Sequence, residues 1–135
     1  MNDTESDAER AGTTVLIIED EADIREFISR VVELEGYRVL KAADGKTGLD
    51  LLREHRVMLI LLDLRLPGLD GWTILRDIKN DPAFSHIPVI VLTAIAETMQ
   101  RKRTIKMGAS KYLVKPLSAN RLSTAITAIL AERSV

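Results

Sequence analysis

Hydrophobic residues fall in two rhythms along this chain. Five short runs are almost wholly apolar or β-branched: TVLII (14 to 18), YRVLKA (37 to 42), VMLILL (57 to 62), PVIVLT (88 to 93) and KYLV (111 to 114). Between them the apolar positions recur every three or four residues. Ile24, Phe27, Ile28, Val31 and Leu34 do so and predict one buried helical stripe. Leu122, Ala125, Ile126, Ile129 and Leu130 repeat the pattern near the end. Gly45 to Glu54 and Gly71 to Lys79 supply two more helices, with Asp44 and Asp70 as N-caps. Gly36, Gly108 and Asn80-Asp81-Pro82 stand where helices should stop. The segment Glu97 to Met107 is the poorest helix, because Arg101, Lys102, Arg103 and Lys106 leave only Met99, Ile105 and Met107 as large apolar residues. It is expected to pack weakly.

Strand and helix therefore alternate five times. Runs such as LILL and VIVL are continuously apolar, as parallel strands covered on both faces require. The fold class that follows is α/β: a three-layer sandwich with a five-stranded parallel sheet, five helices and right-handed crossovers. One domain is expected over residues 13 to 132, after a flexible N-terminal tail at 1 to 12 whose MNDTESDAERAG is too polar to pack.

Composition narrows the function classes. In 135 residues, 46% hydrophobic and 29% charged, there is material for a single core that buries roughly two-thirds of the unfolded surface. The 19 basic and 20 acidic side chains nearly cancel, so no overall charge marks a nucleic-acid binder, and direct nucleic-acid binding is not expected. The absence of cysteine removes disulfides, thiolate metal sites and cysteine nucleophiles, and it suits a cytoplasmic protein. Apolar runs of five or six residues fall far short of the roughly 20 that span a bilayer, and the acidic start is no signal peptide.

The chemistry gathers at the predicted strand ends, where ligands bind in an open parallel sheet. Glu19 and Asp20 follow the first strand, Asp63 the third, Thr93 ends the fourth, and Lys115 follows the fifth. Unit charges of like sign 4 Å apart repel by about 4 kcal/mol at an effective dielectric near 20, so a cluster of acids needs a positive partner. Lys115 is one, and a hard divalent cation is another. An all-oxygen donor set suits magnesium, whereas zinc would call for histidine or cysteine, and neither His55 nor His86 falls at a strand end. Each acid taken alone also fits an ordinary helix cap or solvent-facing group. Capping does not account for a hydroxyl and an amine arriving at the same edge.

These pieces, LIIEDE (16 to 21), LLDLRLPGLDGW (61 to 72), VIVLTA (89 to 94) and GASKYLVKP (108 to 116), occur in an order and spacing that resembles the receiver domain of two-component response regulators. The resemblance covers residues 13 to 132 and is closest to stand-alone, chemotaxis-regulator-like receivers. It implies a flavodoxin-like strand order of 2-1-3-4-5. It implies that Asp63 is the phosphoacceptor, taking a phosphoryl group from a sensor histidine kinase or a histidine phosphotransfer protein. Mg2+, for which Mn2+ could substitute, would be held by Asp20, Asp63 and the backbone carbonyl of Arg65. Glu19, where many receivers carry aspartate, would act through a water on the metal. Thr93, Ala94 and Lys115 would bind the phosphoryl group, and the Lys115–Pro116 peptide would be cis. Pro67 and Gly68 would shape the rim.

The same resemblance makes Thr93 and Tyr112 the switch: the threonine moves toward the phosphoryl group and the aromatic ring fills the space behind it. A static strand aromatic is the plainer account of Tyr112. Arg101, Lys102, Arg103, Lys106 and Lys111 form a candidate face for an acidic downstream protein, or else a solvated helix face. Small Ala94 leaves the phosphoryl group open to water, while Arg65 and apolar Ile95 at its flank imply a lifetime longer than the shortest among relatives. The chain ends a few residues past the last predicted helix, which favours a stand-alone receiver over the receiver module of a larger transcriptional regulator or hybrid kinase. A haloacid-dehalogenase-like phosphatase would need a second aspartate where Arg65 stands. A flavodoxin-like cofactor binder would need a glycine- or serine-rich phosphate loop in place of EDEAD.

Overall fold

The computed structural model describes residues 7–66, 68, 70–94 and 98–134. Pro67, Ile95, the start of the fourth-strand-to-helix segment at Glu97 and the first half of the expected tail lie outside them. The elements run α1 (Asp7–Ala11), β1 (Thr14–Ile18), α2 (Ala22–Leu34), β2 (Arg38–Ala42), α3 (Gly45–Glu54), β3 (Leu59–Asp63), α4 (Gly71–Asn80), β4 (Val89–Thr93), α5 (Thr98–Lys106), β5 (Lys111–Val114) and α6 (Ala119–Ser134). All strand pairs are parallel, in the order β2-β1-β3-β4-β5. The chain leaves β1 toward β2 and returns to β3 on the other side, so β1 and β3 flank the point where the winding reverses.

Strand periodicity divides the core in two. Val15, Ile17, Leu59, Leu61, Ile90 and Leu92 face the layer that holds α2 and α6. Their neighbours Leu16, Ile18, Ile60, Leu62, Val89 and Val91 face the opposite layer, with Leu52 of α3 and Ile74, Leu75 and Ile78 of α4. Every residue of β3 and β4 is buried, which is why these runs are apolar without alternation. No described helix is long and apolar enough to cross a membrane.

The caps fall where the sequence put them: Asp44 accepts from the Thr47 N–H and Asp70 from the Thr73 N–H, each at 2.8 Å. Gly36 and Gly108 take positive φ, 94° and 111°, and end α2 and α5 in a conformation that side chains resist. Two expectations need correction. The helices number six rather than five among the described residues, because residues 7 to 11 of the expected tail form α1. Arg10 explains this helix, donating from Nη1 to the Glu35 carbonyl at 2.9 Å and lying over the Tyr37 ring. The α2 stripe is also rotated. Ile28, Val31 and Val32 are buried, while Phe27 is only partly covered and Leu34 is 85% exposed. The buried line thus follows positions 28, 31 and 32 with partly buried Ile24, and the apolar residues at 27 and 34 lie beyond its edge.

Candidate functional site

Asp63 is the last residue of β3 rather than the first residue after it, and the strand register sets it beside Leu92 of β4. The residue is 2% exposed. Oδ1 accepts from the Arg65 N–H at 2.9 Å, and Oδ2 lies 3.1 Å from Lys115 Nζ. Behind it, Gly71 brings the start of α4 against the β3 exit: its N–H donates to the Leu64 carbonyl at 3.0 Å. A Cβ at Gly71 would collide with the backbone of Leu64 and Asp63. Close backbone approach, not turn conformation, is therefore the reason for glycine there.

Glu19, directly after β1, is 0% exposed. Its N–H donates to the Ala42 carbonyl at 3.0 Å, which continues the β1–β2 ladder one step. Oε2 accepts from the Glu21 N–H at 3.1 Å. Oε1 stands 2.7 Å from Lys115 Nζ, near enough for an ion pair yet without an aligned hydrogen-bond donor. The Glu19 carboxyl is raised from 4.5 to about 7: burial is the largest cause and the charge of Asp63 adds to it, against the Lys115 ammonium and the Glu21 N–H, which pull it down. Burial alone would lower Lys115, but its contacts with Glu19 and Asp63 outweigh that and hold the ammonium above the ordinary lysine value.

Asp20 is exposed at the mouth of the same crevice. One carboxylate oxygen from each of Glu19, Asp20 and Asp63 lies within 4.8 Å of the other two. Facing them among the cations is Lys115, bridging two of the three. One ammonium leaves an excess of negative charge in a crevice where two of the three acids are buried, and oxygen donors of this kind suit a hard divalent cation. The donor set therefore fits a metal ion.

Thr93 ends β4 fully buried, and its carbonyl accepts from the Lys115 N–H at 2.8 Å, so the end of β4 is tied to the residue that follows β5. Ala94 follows it, exposed. The Lys115–Pro116 peptide is cis. Two contributors left little trace in the sequence. Arg25, on the first turns of α2, donates from Nη1 to the Glu19 carbonyl at 2.9 Å and the Asp20 carbonyl at 3.3 Å, holding the acidic loop by its backbone. Gln100 of α5 donates from Nε2 to Thr93 Oγ1 at 3.3 Å. A long polar side chain seven positions after the threonine was the only available hint.

The basic face divides in two. The Arg101 guanidinium lies 5.4 Å from the centroid of the Tyr112 ring, on the side that carries Lys111 and Arg121. Tyr112 itself is buried in the core with Ala109 and Val91. Arg103 lies 4.3 Å from the centroid of Trp72. With Lys102, Lys106, Gln100 and 76% exposed Met99 it lines a groove of about 650 Å³ between α4 and α5. Only Thr104 of α5 is buried among the described residues of that helix.

Comparison with known proteins agrees with this fold. Residues 15–127 match the model of the response regulator receiver domain. The phosphate regulon transcriptional regulatory protein PhoB of Pseudomonas aeruginosa is 37% identical over 119 residues, 88% of this chain and 52% of PhoB. This chain spans about half the length of the curated relatives it matches. The receiver domain of Francisella response regulator 1452 superposes with a TM-score of 0.83 at 31% identity, over 91% of this chain and 99% of that one. Chemotaxis protein CheY4 of Vibrio cholerae gives 0.81 at 25% identity, over 87% and 98%. The chain belongs to the receiver domain family of two-component response regulators.

Proposed function

We propose that this receiver accepts a phosphoryl group on Asp63 and converts its presence into a changed surface around α5. The observation that carries the reading is Lys115, shared between Asp63 and Glu19 at 3.1 and 2.7 Å beside the winding reversal. In the transfer, an Asp63 carboxylate oxygen forms a bond to phosphorus. The bond from phosphorus to the imidazole nitrogen of a donor phosphohistidine breaks, and the imidazole keeps the electron pair. An acyl phosphate results. The donor is a sensor histidine kinase or a histidine phosphotransfer protein.

Mg2+ would be held by Asp20 and Asp63, with the Arg65 carbonyl and, more remotely, Glu19; Mn2+ would serve in its place. When bound, it neutralises phosphoryl charge that the carboxylates would otherwise repel. Of the chain's own groups, Lys115 pairs with one phosphoryl oxygen and the Thr93 hydroxyl donates to another, while the Arg65 N–H keeps Asp63 aimed. Ala94 leaves the phosphoryl group open to water, which sets a limited lifetime. As Thr93 shifts toward the new charge, Tyr112 behind it adjusts, and the cationic residues Arg101, Lys102, Arg103, Lys106 and Lys111 meet an acidic downstream protein.

The test is labelling with a small-molecule phosphodonor in Mg2+. Asp63→Asn should take no label, and excess chelator should suppress labelling of the wild type. Equal labelling of Asp63→Asn would remove Asp63 from the role, and indifference to chelator would remove the metal. The half-length match to PhoB favours a second reading, in which this domain is the receiver part of a larger transcriptional regulator. Sequencing the native transcript decides between that reading and a stand-alone protein.

A further inference from the structure

We propose that Gln100 is a positioning residue for phosphoryl transfer, acting through the Thr93 hydroxyl; the role rests on Thr93 being a phosphoryl-binding residue. A threonine hydroxyl has one proton to give and two lone pairs to receive. The Gln100 amide donates to Oγ1 at 3.3 Å, so it takes a lone pair of the hydroxyl rather than its proton. A phosphoryl oxygen is an anionic acceptor and forms the stronger, charge-assisted bond. Donation into Oγ1 also polarises the O–H, which strengthens what it gives.

The rest of the neighbourhood fixes both partners. Thr93 is held from the β5 side by the Lys115 N–H at 2.8 Å. Gln100 is held from behind: its carbonyl accepts from Thr104 Oγ1 at 3.0 Å, and Thr104 is the buried residue of α5. The Gln100 side chain also lines the groove beside Trp72 and Met99. It therefore spans from the wall of that groove to the hydroxyl at the end of β4.

The experiment measures initial labelling rates against acetyl phosphate concentration at saturating Mg2+. It uses the full chain as wild type, Gln100→Met, Gln100→Glu, Thr93→Ala and the double variant Gln100→Met/Thr93→Ala. Methionine keeps the length and helix propensity of glutamine but donates nothing. Glutamate keeps its shape and accepts the threonine proton instead. Gln100→Met should lower the saturating rate roughly three- to tenfold, the usual worth of one hydrogen bond, with KM for the donor unchanged. Gln100→Glu should lower it further, and Gln100→Met should have no further effect in the Thr93→Ala background.

A wild-type rate in Gln100→Met or Gln100→Glu would overturn the role. So would an equal loss from Gln100→Met in both backgrounds, because a structural defect in α5 does not depend on the Thr93 hydroxyl. Thr93→Ala labelling as fast as wild type would instead overturn the reading of Thr93, and the inference with it. Unfolding midpoints accompany every rate. If Gln100→Met folds poorly, Gln100→Glu and its own double variant with Thr93→Ala carry the same comparison.

Discussion

The exit of β3 and the helix α5 lie on the same side of the molecule and are built on opposite terms. Every residue from Leu59 to Asp63 is buried; the chain beyond is gripped by Gly71 of α4, and the neighbouring acidic loop by Arg25 of α2. Of α5, Thr104 alone is buried among the described residues, and exposed cations lie over Trp72 and Tyr112. The difference teaches where each kind of work can be done. On the proposed function Asp63 is a reacting carboxylate that must not wander, and its mount is set in the core. On the same proposal the α5 surface answers to a distant charge, and a thinly attached helix has little to lose by moving.

The sharpest way to break this comparison is to truncate both regions. Leu61→Ala should cost about 2–5 kcal/mol in denaturant unfolding, as buried leucines do. Ile105→Ala, at an exposed α5 position, should cost within about 0.5 kcal/mol. Equal losses would abolish the distinction.

Gly71→Ala tests the mount itself. The added methyl meets the backbone of Leu64 and Asp63, so a loss of roughly 1–3 kcal/mol is expected from overpacking. Phosphodonor labelling should fall with it even at temperatures where the variant is fully folded. Labelling at the wild-type rate would show that Asp63 tolerates displacement.

A smaller effect concerns the helix caps of the fixed half. Hydrogen bonds from the Thr47 and Thr73 N–H groups hold Asp44 and Asp70 below their ordinary 3.8. A depressed folded value means that the stabilisation is present above the unfolded value and lost as pH falls through the folded one. The unfolding midpoint should therefore drop as pH falls below about 4. In Asp44→Asn/Asp70→Asn, which still caps without charge, that part of the drop should be shallower. An unchanged pH profile would deny the caps their charge contribution.

The smallest effect belongs to the loose half. Lys102→Gln/Lys106→Gln should leave stability unchanged to within about 0.5 kcal/mol, whatever it does to a partner. A large loss would mean that these cations hold α5 in place.

Much of the fixed half was legible in the sequence because it rests on residue type and period. Continuous apolar runs gave β3 and β4, and an acid before each of two helical stripes gave Asp44 and Asp70 as caps. Acids, a hydroxyl and an amine at strand ends gave the crevice. What escaped was contact made by backbone or by chance of rotation. Arg25 binds carbonyls, which every residue has, so nothing in the identity of Glu19 or Asp20 pointed to it. Gln100 reaches Thr93 across a segment whose shape no periodicity encodes. Phe27 and Leu34 fit a helical spacing as well as Ile28 and Val31 do, and only the placement of α2 on the sheet separates them. Arg10 docks α1 through a carbonyl and a ring face, in a segment whose composition reads as solvent-loving.

Trp72 sits on the seam between the two halves, rooted one residue after Gly71 and covered by Arg103 of α5. It is the only tryptophan in the chain. One indole emission therefore reports on a single place, where a guanidinium borne by the thinly held helix rests on a ring anchored in the rigid one. Light absorbed and re-emitted at that ring gives a label-free view of whether the cation stays or departs, on the time scale of the departure itself.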